Sequence, residues 1–198
     1  MQGIQAAFID RDGTIGGTGH FVHPTEFSLF DGAQGAIDML KEAGIKVFAF
    51  TNQHRISRGQ AKLEEFRTQF EQYGFDDAFI CPHGTQDHCD CKKPKPGMLK
   101  EAAAKHGLDL SKCVVIGDVG DTDMLAAHAV GAIKGWSKRG GANRRCWNTG
   151  TDGTRLSRII LPKTFMTRQH GFSAAIQGEF LPMDRWSGDF NNMGGIKG

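Results

Sequence analysis

Carboxylates, amides and amines follow several short apolar runs of this chain, and together they could catalyse phosphoryl transfer. The first run leads into Asp10 and Asp12, and three later runs lead into Thr51-Asn52-Gln53, Lys92-Lys93 and Asp118. Carboxylates such as Asp10 and Asp118 could hold Mg²⁺, a cation that prefers oxygen ligands. One carboxylate can attack phosphorus, and a second can protonate the leaving oxygen and later activate water. Lys93, Thr51 and backbone N–H groups could balance the charge on the phosphoryl oxygens.

Each of these segments also has an ordinary structural explanation. An Asp-x-Asp-Gly-Thr sequence is often a turn, and the segments TNQ and GDVGDTD could cap the helices that follow them. The catalytic interpretation therefore depends on all four segments ending strands at one edge of a sheet.

An alternation of strand and helix patterns over the first two thirds of the chain predicts that arrangement. Apolar runs predict strands at residues 6–10, 46–51, 77–81 and 113–118. Apolar residues at helical spacing predict helices at residues 32–44, 57–75, 96–107 and 121–132. This order indicates an α/β fold with a doubly wound parallel sheet, in which ligands bind at the carboxyl ends of the strands.

A second cluster, in the segment CPHGTQDHCDCKKPKPG, has the composition of a metal site. Cys81 and His83 are separated by one residue, as are Cys89 and Cys91. Three sulfurs and one imidazole form the donor set of a structural Zn²⁺ ion, whereas the alternative is a group of free, reduced cysteines. His88 is a competing ligand, but its place directly beside Cys89 favours His83. The zinc loop, residues 81–91, would brace the segment that carries the catalytic lysine.

The motifs FIDRDGTI, FTNQ, KKPKPGM and VIGDVGDTD resemble the four ordered motifs of the haloacid dehalogenase (HAD) superfamily of phosphohydrolases, over about residues 5–134. The resemblance implies that Asp10 is the nucleophile and Asp12 the general acid and base. It implies Mg²⁺ ligands from Asp10, Asp118 and the backbone carbonyl of Asp12. It further implies that Thr51 and Asn52 contact phosphate or substrate and that Lys93 balances charge.

The last motif departs from the family pattern. The family usually shows Asp-x-x-x-Asp, whereas Asp118 is followed by Asp121 and Asp123. Asp123 keeps the usual distance to Ala126-Ala127, as if one residue were inserted before it. The sequence leaves open which of Asp121 and Asp123 supports the magnesium site.

The zinc-loop pattern and the segments HFVHPTEFSLFDG and TNQHRISRG narrow the resemblance to subfamily IIIA, the branch of bacterial histidinol-phosphate and heptose 1,7-bisphosphate phosphatases. This branch implies substrate contacts from Gln53, Arg58 and Lys92. Arg55 stands where the branch usually has glycine. The spacings between motifs leave no room for a cap domain, so we expect a capless HAD core with an open pocket.

The strand and helix pattern stops after about Lys134. Residues 135–198 contain ten Lys or Arg, four Asp or Glu, eleven of the 27 glycines and no valine. We therefore expect a phosphatase core at residues 1–134 and an atypical, basic, glycine-rich segment at residues 135–198. One hypothesis is a frameshift, because the segments GWSKRG and RLSRIILPKTFMTR can be respelled in another frame to resemble an ordinary last strand and helix. The alternative is a genuine extension, either disordered or RNA-binding.

Composition supports a soluble protein, since 39% of residues are hydrophobic and 23% are charged. No apolar run approaches bilayer-spanning length, and the N-terminus lacks a signal-peptide pattern. We expect a cytoplasmic monomer without membrane or nucleic-acid partners. The predicted function is Mg²⁺-dependent hydrolysis of a small phosphorylated metabolite, with a heptose 1,7-bisphosphate-like sugar as first choice and histidinol phosphate as second. The alternatives are an inactive or misfolded zinc-binding protein and a nucleic-acid 3′-phosphatase.

Overall fold

Five strands form a single sheet at the centre of the protein. The computed structural model describes residues 3–137. The strands are β1 (Ala6–Ile9), β2 (Lys46–Asn52), β3 (Asp77–Cys81), β4 (Cys113–Gly117) and β5 (Ile133–Trp136). They lie in the order β3-β2-β1-β4-β5, and every pair is parallel. The predicted doubly wound parallel sheet is confirmed.

Alternate residues of the strands face two helix layers. Phe8 and Phe48 pack with Leu99 of α3 (Gly97–His106), on the side that also carries α4 (Leu125–Ala129). Ala7 and Val47 face the opposite side, where α1 (Ala33–Glu42) and α2 (Leu63–Gln72) pack. Because both faces of the central strands are buried, these strands are continuous apolar runs in the sequence.

A late helix start and an additional strand are the main differences from the sequence prediction. The predicted helix at residues 57–75 begins only at Leu63, because residues 53–60 form turns closed by bonds such as Ile56 N–H to the Gln53 carbonyl. Strand β5 was not predicted, since its sequence IKGW has no apolar run. Strand β5 forms because it pairs with β4, with Val114 lying opposite Ile133. By contrast, α3 ends as predicted at Gly107, whose φ of 65° suits glycine.

The order of the strands creates a crevice between β1 and β4. The chain continues from β1 to β2 on one side, whereas β4 pairs with β1 on the other side. Ile9 lies opposite Ile116, so Asp10 and Asp118 leave the sheet beside each other. Such a switch in strand order is where open α/β sheets bind ligands.

Within residues 3–137, no helix is both long and apolar enough to cross a membrane. From residue 138 onward, the predicted atypical segment lies outside the described residues. The frameshift and extension hypotheses for it stay predictions, and β5 spans the expected boundary at Lys134.

Candidate active site

Three carboxylates converge at the crevice between β1 and β4. Oxygen atoms of Asp10, Asp118 and Asp123 all lie within 4.8 Å of one another. The three residues are 7%, 6% and 0% exposed, respectively. Asp10 follows β1 and Asp118 follows β4, as the sequence predicted, whereas Asp121 is exposed to solvent.

Lys93 lies within this carboxylate cluster. Its Nζ atom donates to Asp10 Oδ1 at 2.8 Å, to Asp123 Oδ1 at 2.6 Å and to the Phe50 carbonyl at 2.9 Å. Burial lowers the pKa of Lys93, but the charges of Asp10 and Asp123 outweigh it, so the net shift is upward and the ammonium stays charged. One ammonium cannot neutralise three ionised carboxylates, and the remaining negative charge suits a divalent cation with oxygen ligands.

Burial is the main cause of raised pKa values at the other two acids. Burial, followed by the charge of Asp10, raises the pKa of Asp118 to about 6. Burial also raises the pKa of Asp123, although Lys93 opposes this shift. Mg²⁺ bound among these oxygens would favour their ionised forms.

A π-helical turn, Gly120–Met124, brings Asp123 into the cluster. The Leu125 N–H donates to the Gly120 carbonyl five residues earlier, one residue more than in an α-helix. The wider turn absorbs an extra residue, as the spacing of the last motif indicated. As a result Asp123 points at Lys93, and its carboxylate also accepts from the Val119 N–H at 3.2 Å.

The turn after β1 approaches Asp118 closely. Gly13 has a φ of 87°, and a Cβ atom at this position would collide with the Asp118 carboxylate. Thr14 Oγ1 donates to Asp118 Oδ1 at 3.3 Å. The Gly-Thr pair after the two acids therefore lies directly against Asp118, and the close approach at residue 13 requires glycine.

Asp12 lies beside the cluster with both carboxylate oxygens engaged. Arg11 Nη1 donates to Oδ1 at 2.7 Å, and Gln53 Nε2 donates to Oδ2 at 2.6 Å. Burial raises the pKa of Asp12 despite the opposing effects of Arg11 and Gln53. An acid with a raised pKa is suited to proton transfer.

Thr51 and Asn52 end β2 at the same edge of the sheet. The Thr51 hydroxyl accepts from Gln53 Nε2 at 3.0 Å. The Asn52 amide pairs with the backbone of Lys93, because its Oδ1 accepts from the Lys93 N–H at 3.0 Å and its Nδ2 donates to the Lys93 carbonyl at 3.2 Å. Asn52 thus ties the segment after the cysteine cluster to the end of β2.

A pocket of about 200 Å³ opens above these groups. Its lining includes Asp10, Asp12, Thr51, Asn52, Gln53, Lys93 and the loop residues Gly19, His20 and Phe21. Lys92 and Arg58 are not among the lining residues, and Lys92 Nζ donates to Thr85 Oγ1 at 3.0 Å. The Arg55 guanidinium lies 5.5 Å from the ring of Phe21, which is a wall of the pocket.

The donor atoms of the cysteine cluster lie close enough together to hold one metal ion. Donor atoms of Cys81, His83, Cys89 and Cys91 lie within 4.8 Å of one another. Cys81 Sγ lies 3.7 Å from Cys89 Sγ and 3.3 Å from Cys91 Sγ. Zinc–sulfur bonds of about 2.3 Å place tetrahedral sulfurs about 3.8 Å apart, so the donors fit Zn²⁺. His88 is exposed and is not a member of this group.

The family of this chain follows from comparison with known proteins. A family model described as haloacid dehalogenase-like hydrolase matches residues 19–131. The chain belongs to the haloacid dehalogenase-like hydrolases. A heptose 1,7-bisphosphate 7-phosphatase of Vibrio cholerae is 34% identical over 143 residues, covering 64% of this chain and 76% of the relative. A Helicobacter pylori protein with the same name is 36% identical over 139 residues, covering 64% and 79%.

Solved structures of this hydrolase family share the fold. The D,D-heptose 1,7-bisphosphate phosphatase of B. bronchiseptica, crystallised with magnesium and phosphate, matches with a TM-score of 0.63 and 30% identity. The match covers 77% of this chain and 92% of that chain. The predicted resemblance and the predicted enzyme class, a phosphatase of the haloacid dehalogenase type, are confirmed.

Three buried residues around the site were not identified from the sequence. Thr14 donates to Asp118, Arg11 donates to Asp12, and Gln69 of α2 accepts from Arg11 Nε at 2.8 Å. Arg11 carries the one signal that the sequence offered. It lies just after an apolar run and between two acids, and a charge at such a position needs a partner.

Proposed function

We propose that this protein is a Mg²⁺-dependent phosphatase that hydrolyses a small phosphorylated sugar through an aspartyl-phosphate on Asp10. The phosphate ester group of the substrate would enter the pocket above Asp10. The observation that carries the proposal is the convergence of Asp10, Asp118 and Asp123 with Lys93 in one buried cluster beside that pocket.

The residues of the cluster suit distinct parts of the reaction. Asp10 would attack phosphorus, and Asp12 would protonate the leaving oxygen and then take a proton from the water that hydrolyses the intermediate. Lys93 and the Thr51 hydroxyl would stabilise charge on the phosphoryl oxygens. The lysine also holds Asp10 in place, because it contacts Asp10 Oδ1 and the Phe50 carbonyl together.

Asp10, Asp118 and the backbone carbonyl of Asp12 would hold magnesium, a cation that prefers such oxygen ligands. When bound, it would neutralise the repulsion between Asp10 and the incoming phosphate. Asp123 is better placed than Asp121 to support this site, since Asp123 is buried in the cluster and Asp121 is exposed.

Zinc fits the cluster of Cys81, His83, Cys89 and Cys91, with a structural role. Four protein ligands would leave no position for substrate. The loop leads directly into Lys93, whose backbone is held on its other side by Asn52. We infer that zinc and Asn52 together fix the position of the catalytic lysine.

A sugar bisphosphate is the first choice of substrate. Relatives that are 34% and 36% identical are named heptose 1,7-bisphosphate 7-phosphatases. His54 lines the pocket, and its pKa is lowered by burial and then by the nearby charges of Arg58, Arg55 and Lys92. This positive charge would attract a second anionic group that is not being cleaved.

An activity panel tests this proposal. Heptose 1,7-bisphosphate, histidinol phosphate and a 3′-phosphorylated oligonucleotide are each offered with Mg²⁺ and with EDTA. We expect phosphate release only with Mg²⁺, and the highest kcat/KM for the heptose bisphosphate. Asp10→Asn should remove activity, whereas Asp38→Asn, an exposed carboxylate on α1, should not. A folded wild-type protein that releases no phosphate from any of these substrates would contradict the proposal. A higher kcat/KM for another substrate would contradict the choice of a heptose bisphosphate.

A further inference from the structure

Arg11 is a fully buried cation that the proposed mechanism does not use. Its side chain is 0% exposed. Burying a cation in this way costs stability unless good partners compensate for it. The neighbouring acid Asp12 is one partner, but the remaining contacts of Arg11 suggest a more specific purpose.

The guanidinium of Arg11 is fixed from several sides. Its Nε donates to Gln69 Oε1 at 2.8 Å, and its Nη1 donates to the Val22 carbonyl at 3.0 Å as well as to Asp12. Its central carbon lies 3.8 Å from the centre of the Phe27 ring. The ring contact and the hydrogen bonds made by Nε and Nη1 together restrict the orientation of the guanidinium.

The groups that hold Arg11 are themselves buried and connected. Gln69 is 5% exposed, and its Nε2 donates to the Pro24 carbonyl at 2.7 Å. Gln69 therefore joins α2 to the segment that precedes Phe27, and both sides of its amide are used. The Phe66 ring, one turn earlier on α2, lies 5.0 Å from the guanidinium carbon.

The two oxygens of Asp12 have different surroundings. Arg11, which holds Oδ1, is not among the residues that line the pocket, whereas Gln53, which holds Oδ2, is. Oδ2 can therefore exchange its bond with Gln53 for one with a substrate oxygen while Arg11 keeps its bond to Oδ1. We propose that Arg11 is a positioning residue, which holds Asp12 by Oδ1 so that Oδ2 meets the leaving oxygen of the substrate.

This inference rests on the proposed function, in which Asp12 protonates the leaving oxygen. It predicts that the loss of kcat/KM in Arg11 variants depends on the leaving group of the substrate. An alkyl phosphate needs a proton on its leaving oxygen, whereas p-nitrophenolate leaves without one. The value of kcat/KM depends only on the steps up to release of the alcohol. It therefore reports protonation of the leaving oxygen separately from the later hydrolysis of the intermediate.

The test compares kcat/KM for glycerol 2-phosphate and p-nitrophenyl phosphate, with Mg²⁺, in the wild type, Arg11→Lys and Arg11→Met. We expect Arg11→Met to lower kcat/KM about 10- to 100-fold for the alkyl phosphate and less than about threefold for the aryl phosphate. Arg11→Lys, which keeps a donor and the charge, should recover part of the loss. Asp12→Asn should show the same dependence on leaving group, more strongly.

A control separates positioning from a loss of stability. Phe70→Leu removes buried volume from the same core layer, away from Asp12, and should change kcat/KM equally for both substrates. If the Arg11 variants lose kcat/KM equally for both substrates, the inference is overturned. If Arg11→Met does not fold, the comparison of the two substrates in Arg11→Lys decides. A folded wild type that releases phosphate neither from these two esters nor from heptose 1,7-bisphosphate would overturn the proposed function, and the inference with it.

Discussion

Lys93 Nζ lies 2.6 Å from Asp123 Oδ1, although the two residues are 30 positions apart in the chain. The same nitrogen lies 2.8 Å from Asp10. Lys93 thus joins the ends of β1 and β4 to the segment that follows the cysteine cluster. The stability of this region and its proposed chemistry depend on the same buried contact.

Removing the Lys93 ammonium should destabilise the protein, and magnesium should offset part of the loss. Lys93→Met leaves buried carboxylates without their cation, so we expect the free energy of unfolding in EDTA to fall by about 3 kcal/mol. Added Mg²⁺ should raise the melting temperature of the variant more than that of the wild type, because it replaces the missing charge. Thermal denaturation with and without Mg²⁺ measures both effects.

Lys100→Met is the matched control for this experiment. Lys100 is exposed on α3, so its replacement should change stability by less than about 0.5 kcal/mol and leave the response to Mg²⁺ as in the wild type. A Lys93→Met protein as stable as the wild type in EDTA would contradict the prediction.

Asp123 and Asp121 should differ sharply in their effect on magnesium. Asp123→Asn removes a buried carboxylate of the cluster, and we expect the Mg²⁺ concentration for half-maximal phosphatase activity to rise about 10- to 100-fold. Asp121→Asn changes an exposed side chain and should raise this Mg²⁺ concentration less than about threefold. Titration of phosphatase activity with Mg²⁺ measures this concentration for both variants. A larger increase in Asp121→Asn than in Asp123→Asn would assign the supporting role to Asp121.

The cysteine cluster should bind one zinc ion per chain. Cys91→Ser removes one of four donors, so zinc measured by mass spectrometry should fall well below one equivalent, and the melting temperature should drop. Cys113→Ala also removes a cysteine, but from the core on β4, and should keep its zinc. A Cys91→Ser protein with full zinc content would show that this cluster is not the site.

Asp77 should contribute stability that depends on pH. Burial raises its pKa, but hydrogen bonds from Lys105, His106 and the Ala78 N–H outweigh burial and hold the pKa at about 2. Because the folded value is below the unfolded value of about 3.9, the contribution is complete above pH 4 and is lost as the pH falls toward 2.

Urea denaturation of the wild type and Asp77→Asn measures this contribution. We expect the variant to be less stable by about 1 kcal/mol at pH 7, since Lys105 is largely exposed and its ion pair is screened by solvent. The difference should narrow steadily below pH 4. A difference that stays constant between pH 7 and pH 3 would contradict the assigned pKa.

The sequence by itself determined the parts of this protein that depend on local pattern. Buried strands read as apolar runs, and parallel strands end at one edge, so the placement of Asp10, Thr51 and Asp118 could be predicted. The spacing of the cysteines predicted that Cys81 belongs to a set of metal-ligand side chains, and the structure brings that set together. The extra residue in the last motif also pointed to Asp123, but spacing alone could not exclude Asp121.

Only the tertiary structure decided which polar atoms meet. The π-helical turn selected Asp123 over Asp121, because a wider turn rotates every later side chain. The contacts of Arg11 with Gln69 and Phe27 join segments far apart in the chain, and no local pattern encodes them. Strand β5 likewise depends on pairing with β4 rather than on its own sequence. Local patterns indicate which segments form helices and strands, whereas contacts between distant segments arise only when the elements pack together.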